Sequence, residues 1–407
     1  MMWLSDFTLV LPDRIVKGGS VRVEDGLIAE IREEIVPEGI NGRGMQLFPG
    51  FIDMHGDMIE VELEPRAKVD FPMEVALGHL DARLAASGVT TAYASVSFSR
   101  GARDGERRSY EHTCNIIRSL KNAKADTCVD HRIHARFDIT FTSAIDALEQ
   151  LLAGGQVDLV SVMDHTPGQG QYRNLERMIE LKAAREGSSV EQAKAEVDAR
   201  LKNRTPEEEI FANLQRVSGL CRDYGVSLAS HDDDTVMKAN IMADIGAVIS
   251  EFPVTMEAAE TVVSRGMMTA MGAPNAMRGE SYSGNLSARE AHAAGLLHIL
   301  AADYHPATFL PAIRTLAETD PNGLAGAARL ATVNPAKALG LTDRGEIAVG
   351  KRADLIVVND KNRVIQTFCV GQPVHANGTL STGNVQGRRD DKDSFTKASR
   401  DGLATVT

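Results

Sequence analysis

The sequence predicts an α/β chain: a (β/α)₈ TIM-like barrel with a small β-sandwich domain formed by the N- and C-terminal segments. Three observations predict it. Short apolar strands alternate with helical segments through the middle of the chain, and their number is about eight. Both ends carry β-patterned segments, and the first is too small to bury a core alone. Histidines and carboxylates recur at the C-terminal tips of the predicted strands, the face on which barrel active sites assemble. The expected division is 1–50 for the N-terminal part of the sandwich, 51–343 for the barrel, 344–385 for the C-terminal part and 386–407 for a polar, mobile tail.

The elements follow in order. Phe7–Leu11, Ser20–Glu24 and Leu27–Ile31 are short alternating or apolar runs, and Asp25-Gly26 is a hairpin signal between the last two. Leu47–Asp57 reads as one buried strand presenting His55 and Asp57 at its tip, on the same side because they are two residues apart. Val75, Leu77, Leu80 and Leu84 give Pro72–Ala86 helical spacing, with Gly88 as its stop. Thr91–Ser97, Arg132–Thr140 and Val157–Asp164 are the next strands. Helices are expected at Tyr110–Ala123 and Ser143–Leu152, the latter with Ser143 and Asp146 as a capping pair. A long polar helical section follows, with starts at Ser188-x-x-Glu191 and Thr205-Pro-Glu-Glu208. It exceeds a simple crossover and should project beside the strand tips. Gly225–His231, Ala247–Phe252, Met267–Gly272 and Leu296–Asp303 complete the strands, with a helix at Thr255–Arg265 and another opening at Asn334-Pro335. Gly345–Asp360 returns to β pattern and should pair with the N-terminal strands.

Composition narrows the partners. A formal net charge of −12 argues against a nucleic-acid duplex. No apolar run reaches membrane length and no basic-then-apolar leader opens the chain, so no membrane partner is expected. Cys114, Cys128, Cys221 and Cys369 lack C-x-x-C spacing, which suits reduced thiols in a cytoplasmic setting.

The polar residues carry the chemistry. His55 and Asp57 follow strand one. His134, Arg136 and Asp138 alternate on strand three and so share a face. Asp164-His165, His231-Asp-Asp-Asp234 and Asp303 end later strands. Any one of these alone is a core histidine or a turn carboxylate. Together, at one end of a barrel, they point to a divalent-metal site, because imidazole and carboxylate are its ligands. Arg66, Lys68, Arg136, Arg173 and Arg278 are candidate cations for an anionic, phosphorylated substrate. The loops Thr166–Tyr172, with Gln169, and Met271–Asn275 have glycines whose amides could reach phosphate oxygens, and His134 is the remaining substrate-binding candidate. Neither loop is a P-loop.

The Pro-Gly-Phe-Ile-Asp-x-His entry at residues 49–55, the Asn334-Pro-Ala-x-Ala-Leu-Gly-Leu helix and the Gly345-Glu-Ile-x-x-Gly-Lys-x-Ala-Asp-Leu return resemble the amidohydrolase superfamily. That resemblance implies the barrel with its two-ended sandwich, and a metal site of His55, Asp57, His165, His231 and Asp303 with a bridging carboxylate. Asp138 is the expected bridge, with Glu60 and Glu62 as rivals. It also implies a homo-oligomer. Glu64-Pro-Arg66, Met163-Asp-His-Thr-Pro-Gly-Gln-Gly-Gln171, Ser230-His-Asp-Asp-Asp-Thr235 and Met271-Gly-Ala-Pro-Asn275 are more closely similar to the α-D-ribose 1-methylphosphonate 5-triphosphate diphosphatase family of phosphonate catabolism. Its first motif would be His-Thr-Asp-Asn-Leu-Glu, where this chain has His55-Gly-Asp-Met-Ile-Glu60, and Glu would stand in place of Asp138. Those departures keep open a paralogue with another substrate.

The expected activity is therefore hydrolytic release of pyrophosphate from a ribosyl 5-triphosphate through a metal-bound hydroxide. Asp303 would be the proton acceptor, Arg136 would stabilise the leaving charge, and two divalent ions would be bound, Zn²⁺ first, with Mn²⁺ or Fe²⁺ as substitutes. The alternative is C–N bond hydrolysis of an N-acyl, cyclic amide or deaminase substrate, since the same ligands serve either reaction. A non-catalytic scaffold is the third reading and would be expected to have lost ligands.

Overall fold

The structure, a computed structural model, describes residues 1–66, 69–98, 110–123, 126–281, 284–378 and 381–382. Lys68 and the expected mobile tail at 386–407 lie outside them. The strands in chain order are β1 Met2–Val10, β2 Ile15–Glu24, β3 Leu27–Arg32, β4 Ile40–Asn41, β5 Gln46–Pro49, β6 Phe51–Gly56, β7 Val89–Phe98, β8 Asp130–Asp138, β9 Leu159–Met163, β10 Ser227–His231, β11 Ile249–Glu251, β12 Met268–Gly272, β13 Ile299–Ala301, β14 Leu355–Val358, β15 Val364–Cys369, β16 Gln372–Ala376 and β17 Ser381–Thr382.

Strands β6 to β13 pair in sequence order and in parallel, each neighbouring the next. The sheet closes on itself where Asp303 N donates to His55 O at 2.9 Å and Asp57 N donates to Asp303 O at 2.7 Å. The expected eight-stranded barrel is therefore present. Its lumen is filled by Ile52, Met54, Tyr93, Leu159, Ile249 and Ile299, so it is a packed core rather than a pore. A second apolar layer joins the outer face of the strands to the surrounding helices, with Phe51, Phe98, Phe137 and Phe309 fully buried in it.

Both chain ends enter one further sheet of nine strands, with the order β16-β15-β14-β5-β1-β2-β3, and with β4 beside β1 and β17 beside β4. Strand β14 lies antiparallel to β5, as the pairing of the two termini required. Phe7, Val21, Leu47, Val357 and Phe368 from the two flanks share one small core. Asp25-Gly26 turns the β2–β3 hairpin with both residues at positive φ, 50° and 78°. That is the geometry a two-residue type I′ turn demands.

Three expectations needed correction. Leu47–Asp57 is two strands, not one: β5 belongs to the terminal sheet, β6 opens the barrel, and Gly50 lies between them. Its N–H donates to Asp354 O at 2.8 Å, and a Cβ there would lie 2.1 Å from Thr90 Oγ1. Both halves are apolar and buried, so periodicity could not mark the break. The Ser143–Asp146 cap does not form; a 3₁₀ turn at Thr142–Ala144 leads into the helix Ile145–Ala153 instead. In the polar section the helix Val190–Lys202 is capped by Ser189, one residue later than expected, in a capping box with Gln192. The other helices of that section are Leu175–Glu186 and Glu207–Asp223. No helix among the described residues is long and apolar enough to cross a membrane.

Candidate active site

Barrel closure builds the first corner of the site. The two closing hydrogen bonds run through the backbones of His55, Asp57 and Asp303, and they fix these three residues relative to one another. Asp303 sits at φ 58°, a left-handed conformation that L-residues seldom adopt, at the tip of the last strand. Asp232 and Phe252, directly after β10 and β11, share that conformation at φ 54°. Three strand ends are thus bent sharply at the same mouth.

His55 lies between two carboxylates. Its Nδ1 is 3.1 Å from Glu251 Oε2, and its Nε2 is 3.4 Å from Asp57 Oδ1. Burial alone would lower its pKa, but Glu251 and Asp57 outweigh it and raise the imidazole to about 10. Glu251 ends β11 with no exposure, 3.6 Å from His134 Nε2. His134 is itself fully buried, between Ser95 Oγ at 3.1 Å and Ser161 Oγ at 2.8 Å, and burial pushes it down to about 3. The Phe252 ring stands edge-on to His55 with centroids 4.9 Å apart and walls this corner with apolar surface.

His231 ends β10, and its Nδ1 lies 3.0 Å from Asp232 Oδ2. The other two aspartates of that run have separate duties. Asp233 is fully buried and accepts from Ser230 and Ser250, while Asp234 accepts from Gly170 N at 2.8 Å. His165, after β9, approaches His231 with ring centroids 6.2 Å apart. Among the described residues, two groups have ligand atoms within 4.8 Å of one another: His55, His231 and Glu251, and His165, His231 and Asp232. His231 belongs to both. His55 Nδ1, His231 Nδ1 and both Glu251 oxygens are buried without a hydrogen-bond partner. Imidazole and carboxylate atoms left in that state fit a divalent cation, which would satisfy them at once.

The amidohydrolase family profile matches residues 47–374. This chain belongs to the amidohydrolase family. It is 37% identical over 376 residues to the α-D-ribose 1-methylphosphonate 5-triphosphate diphosphatase of Escherichia coli (strain K12), spanning 89% of this chain and 97% of that protein. Among solved structures it resembles N-acetyl-D-glucosamine-6-phosphate deacetylase from Mycobacterium smegmatis, with TM-score 0.62 and 17% identity over 92% of this chain and 100% of that one. It also resembles 5-methylcytosine deaminase from Klebsiella pneumoniae, with TM-score 0.62 and 15% identity over 93% and 98%. At those identities the structural likeness concerns the fold alone.

The amidohydrolase mouth opens into a cavity of about 440 Å³ whose walls include His55, Asp57, Arg136, His231, Asp232 and Asp303. Arg136 Nη1 donates to both oxygens of Asp57 at 2.6 Å, and its Nη2 lies 3.5 Å from His231 Nε2. Burial opposes the Asp57 charge, but Arg136 and His55 hold this carboxyl well below its usual range. Asp303 is pushed up to about 6, first by burial and then by the charge of Asp57.

The remaining sequence candidates spread out. Asp138 accepts from Thr140 N at 2.9 Å and lies 3.8 Å from His165 Nδ1, beside the cavity rather than on its wall. Its rivals as bridge are off the cavity wall as well: Glu62 pairs with His79 and Arg83, and Glu60 accepts from Ser97 N at 3.3 Å beside a separate cavity. Arg278 and Asn275 line the cavity, with Asn275 Oδ1 already accepting from Ala288 N at 3.0 Å. Arg66 and Arg173 are exposed, and neither they nor Gln169 reach the wall; Gln171 does. His134 is beneath it. Within the Thr166–Tyr172 loop the Gly170 amide is taken by Asp234 rather than presented to a ligand. Sequence reasoning passed over Glu251 and did not single out Asp232 from its run of aspartates. The only signals were a glutamate ending an otherwise apolar strand and the residue directly after a candidate histidine.

Proposed function

We propose that this amidohydrolase releases pyrophosphate from a ribosyl 5-triphosphate, α-D-ribose 1-methylphosphonate 5-triphosphate, in phosphonate catabolism. The observation that carries the reading is the 37% identity extending over 97% of the diphosphatase. The cavity chemistry is compatible with it. Water splits the anhydride between the α- and β-phosphates, giving the 5-phosphate, pyrophosphate and one proton. Asp303, at the mouth and pushed up to about 6, is the group to take that proton. Arg136 holds Asp57 in place and carries positive charge to the cavity wall.

His55, His231, Glu251, His165 and Asp232 would hold divalent metal, with Asp57 beside them and Asp138 next to His165. A divalent ion there would supply Lewis-acid charge for hydrolysis, and Zn²⁺, Mn²⁺ and Fe²⁺ all suit the donors. We propose two ions, a cytoplasmic setting and a homo-oligomer on the same footing.

The test is pyrophosphate release from a panel of ribosyl and nucleoside 5-triphosphates with each metal added. Turnover of the ribosyl triphosphate above all other panel members is expected. Faster turnover of an N-acyl compound, a cyclic amide or an aminopyrimidine would replace the reading with C–N hydrolysis.

A further inference from the structure

The helical section that projects beside the strand tips has no part in the chemistry described so far. It builds a second chamber of about 510 Å³, within the size range of ligand pockets. Arg177, Lys182, Arg185 and Arg200 line this chamber, and none of its lining residues is a carboxylate. It meets the catalytic cavity at Gln171 and Asn285, which line both. It also touches the site directly: Arg200 Nη2 donates to His165 O at 3.1 Å, and the Tyr172 ring on its wall stands edge-on to His165 with centroids 6.2 Å apart.

Charge accounting separates the two spaces. In the catalytic cavity the cationic side chains stand among carboxylates: Arg136 is paired with Asp57, and Asp232, Glu280 and Asp303 share the wall with His55 and Arg278. The chamber next door is lined by cations without a carboxylate. Lys182 is braced between Glu186 at 2.8 Å and Glu196 at 2.6 Å, so it serves the helix pair. The arginines are held more weakly. Among the described residues Arg177 pairs with the exposed Glu180 at 3.5 Å, and Arg185 with Glu186 at 3.7 Å. Exposed pairs of this kind are worth little and yield readily to a phosphate. Arg177 and Arg185 are two turns apart on one helix, roughly 12 Å along its axis, so both face the same groove.

We propose that this chamber is the diphosphate subsite: it holds the two outer phosphates of the substrate, the part that leaves as pyrophosphate. The proposal rests on the triphosphate reading above, and inorganic pyrophosphate binding tests it without any turnover. Titration calorimetry of pyrophosphate into the purified protein should show binding. In Arg177→Gln/Arg185→Gln/Arg200→Gln the Kd should rise at least about tenfold, with a shallower dependence on salt. Because Arg200 also supports the His165 loop, Arg177→Gln/Arg185→Gln is the second variant and should show a smaller rise in the same direction. Arg265→Gln, which breaks a surface pair with Asp244 elsewhere, should bind as wild type does.

In steady-state assays Arg177→Gln/Arg185→Gln should raise KM for the triphosphate with kcat within about twofold, as loss of uniform binding requires. No pyrophosphate binding by the wild type, or an unchanged Kd in both variants, overturns the subsite. Arginine-dependent pyrophosphate binding with no triphosphate cleavage sustains the subsite and sinks the reaction. Pyrophosphate release at an unchanged KM in the variants does the reverse.

Discussion

The barrel buries a histidine–carboxylate pair at each end, and the two are built differently. At the N-terminal end Asp81 accepts from Cys128 N, Val129 N and His131 Nε2, each at 2.9 Å. At the C-terminal end Glu251 faces His55 at 3.1 Å and His134 at 3.6 Å, and neither of its oxygens has a hydrogen-bond partner. One carboxylate is satisfied by its own backbone surroundings, and the other is held ready for something more. Fully bonded buried groups lock structure, whereas unsatisfied ones persist where a ligand completes them. The difference follows the general division of a barrel, with stability at the bottom and chemistry at the top.

The largest effect should come at the top. Asp303→Asn keeps the side-chain shape and an oxygen but removes the proton acceptor, so turnover should fall by roughly two or more powers of ten. Metal content measured on the same preparation should stay at the wild-type level. Near-normal turnover would remove Asp303 from the reaction and leave only its role in barrel closure.

Glu251→Gln comes next, and it probes the contrast itself. If this carboxylate serves a cation through or beside His55, metal affinity should fall about 10–100-fold. The metal-free variant should also melt below wild type, because the change removes one partner of the buried pair with His55. Unchanged metal affinity together with a lower melting temperature would make Glu251 a structural residue like Asp81, and the two ends of the barrel would then be alike.

How far the sequence discloses this contrast depends on local surroundings. His55, Asp57, His165, His231 and Asp303 stand out because each follows an apolar strand and interrupts its pattern. Glu251 does not stand out. Its strand is three residues long, and a terminal glutamate on such a strand reads as solvent-facing until closure of the barrel turns it inward. Asp232 is hidden in a run of three aspartates whose separate duties only the fold divides. The Gly50 break between sheets is silent because both strands beside it are fully apolar in their neighbourhood. The cap at Ser189 was misread by one because two serines adjoin, each with a suitable partner three residues on. The fold was legible in its periodicity. The long-range pairings that decide which polar group is satisfied were not.

The smallest effect should be seen at the bottom, and its pH dependence has a definite sign. Burial works against the Asp81 charge, but His131 and the amides of Cys128 and Val129 outweigh it, so this carboxyl is held below its ordinary value. A depressed carboxyl stabilises the fold fully above its unfolded pKa, about 3.9, and loses that contribution as pH falls through the folded value. Asp81→Asn should therefore cost about 1–3 kcal/mol in urea unfolding at neutral pH, with metal affinity unchanged. The gap between variant and wild type should narrow as the pH is taken below about 4. A gap that stays constant into acid would mean that the Asp81 charge contributes nothing beyond the shape of its hydrogen bonds. A loss of metal in this variant would couple the two ends of the barrel and break the division drawn between them.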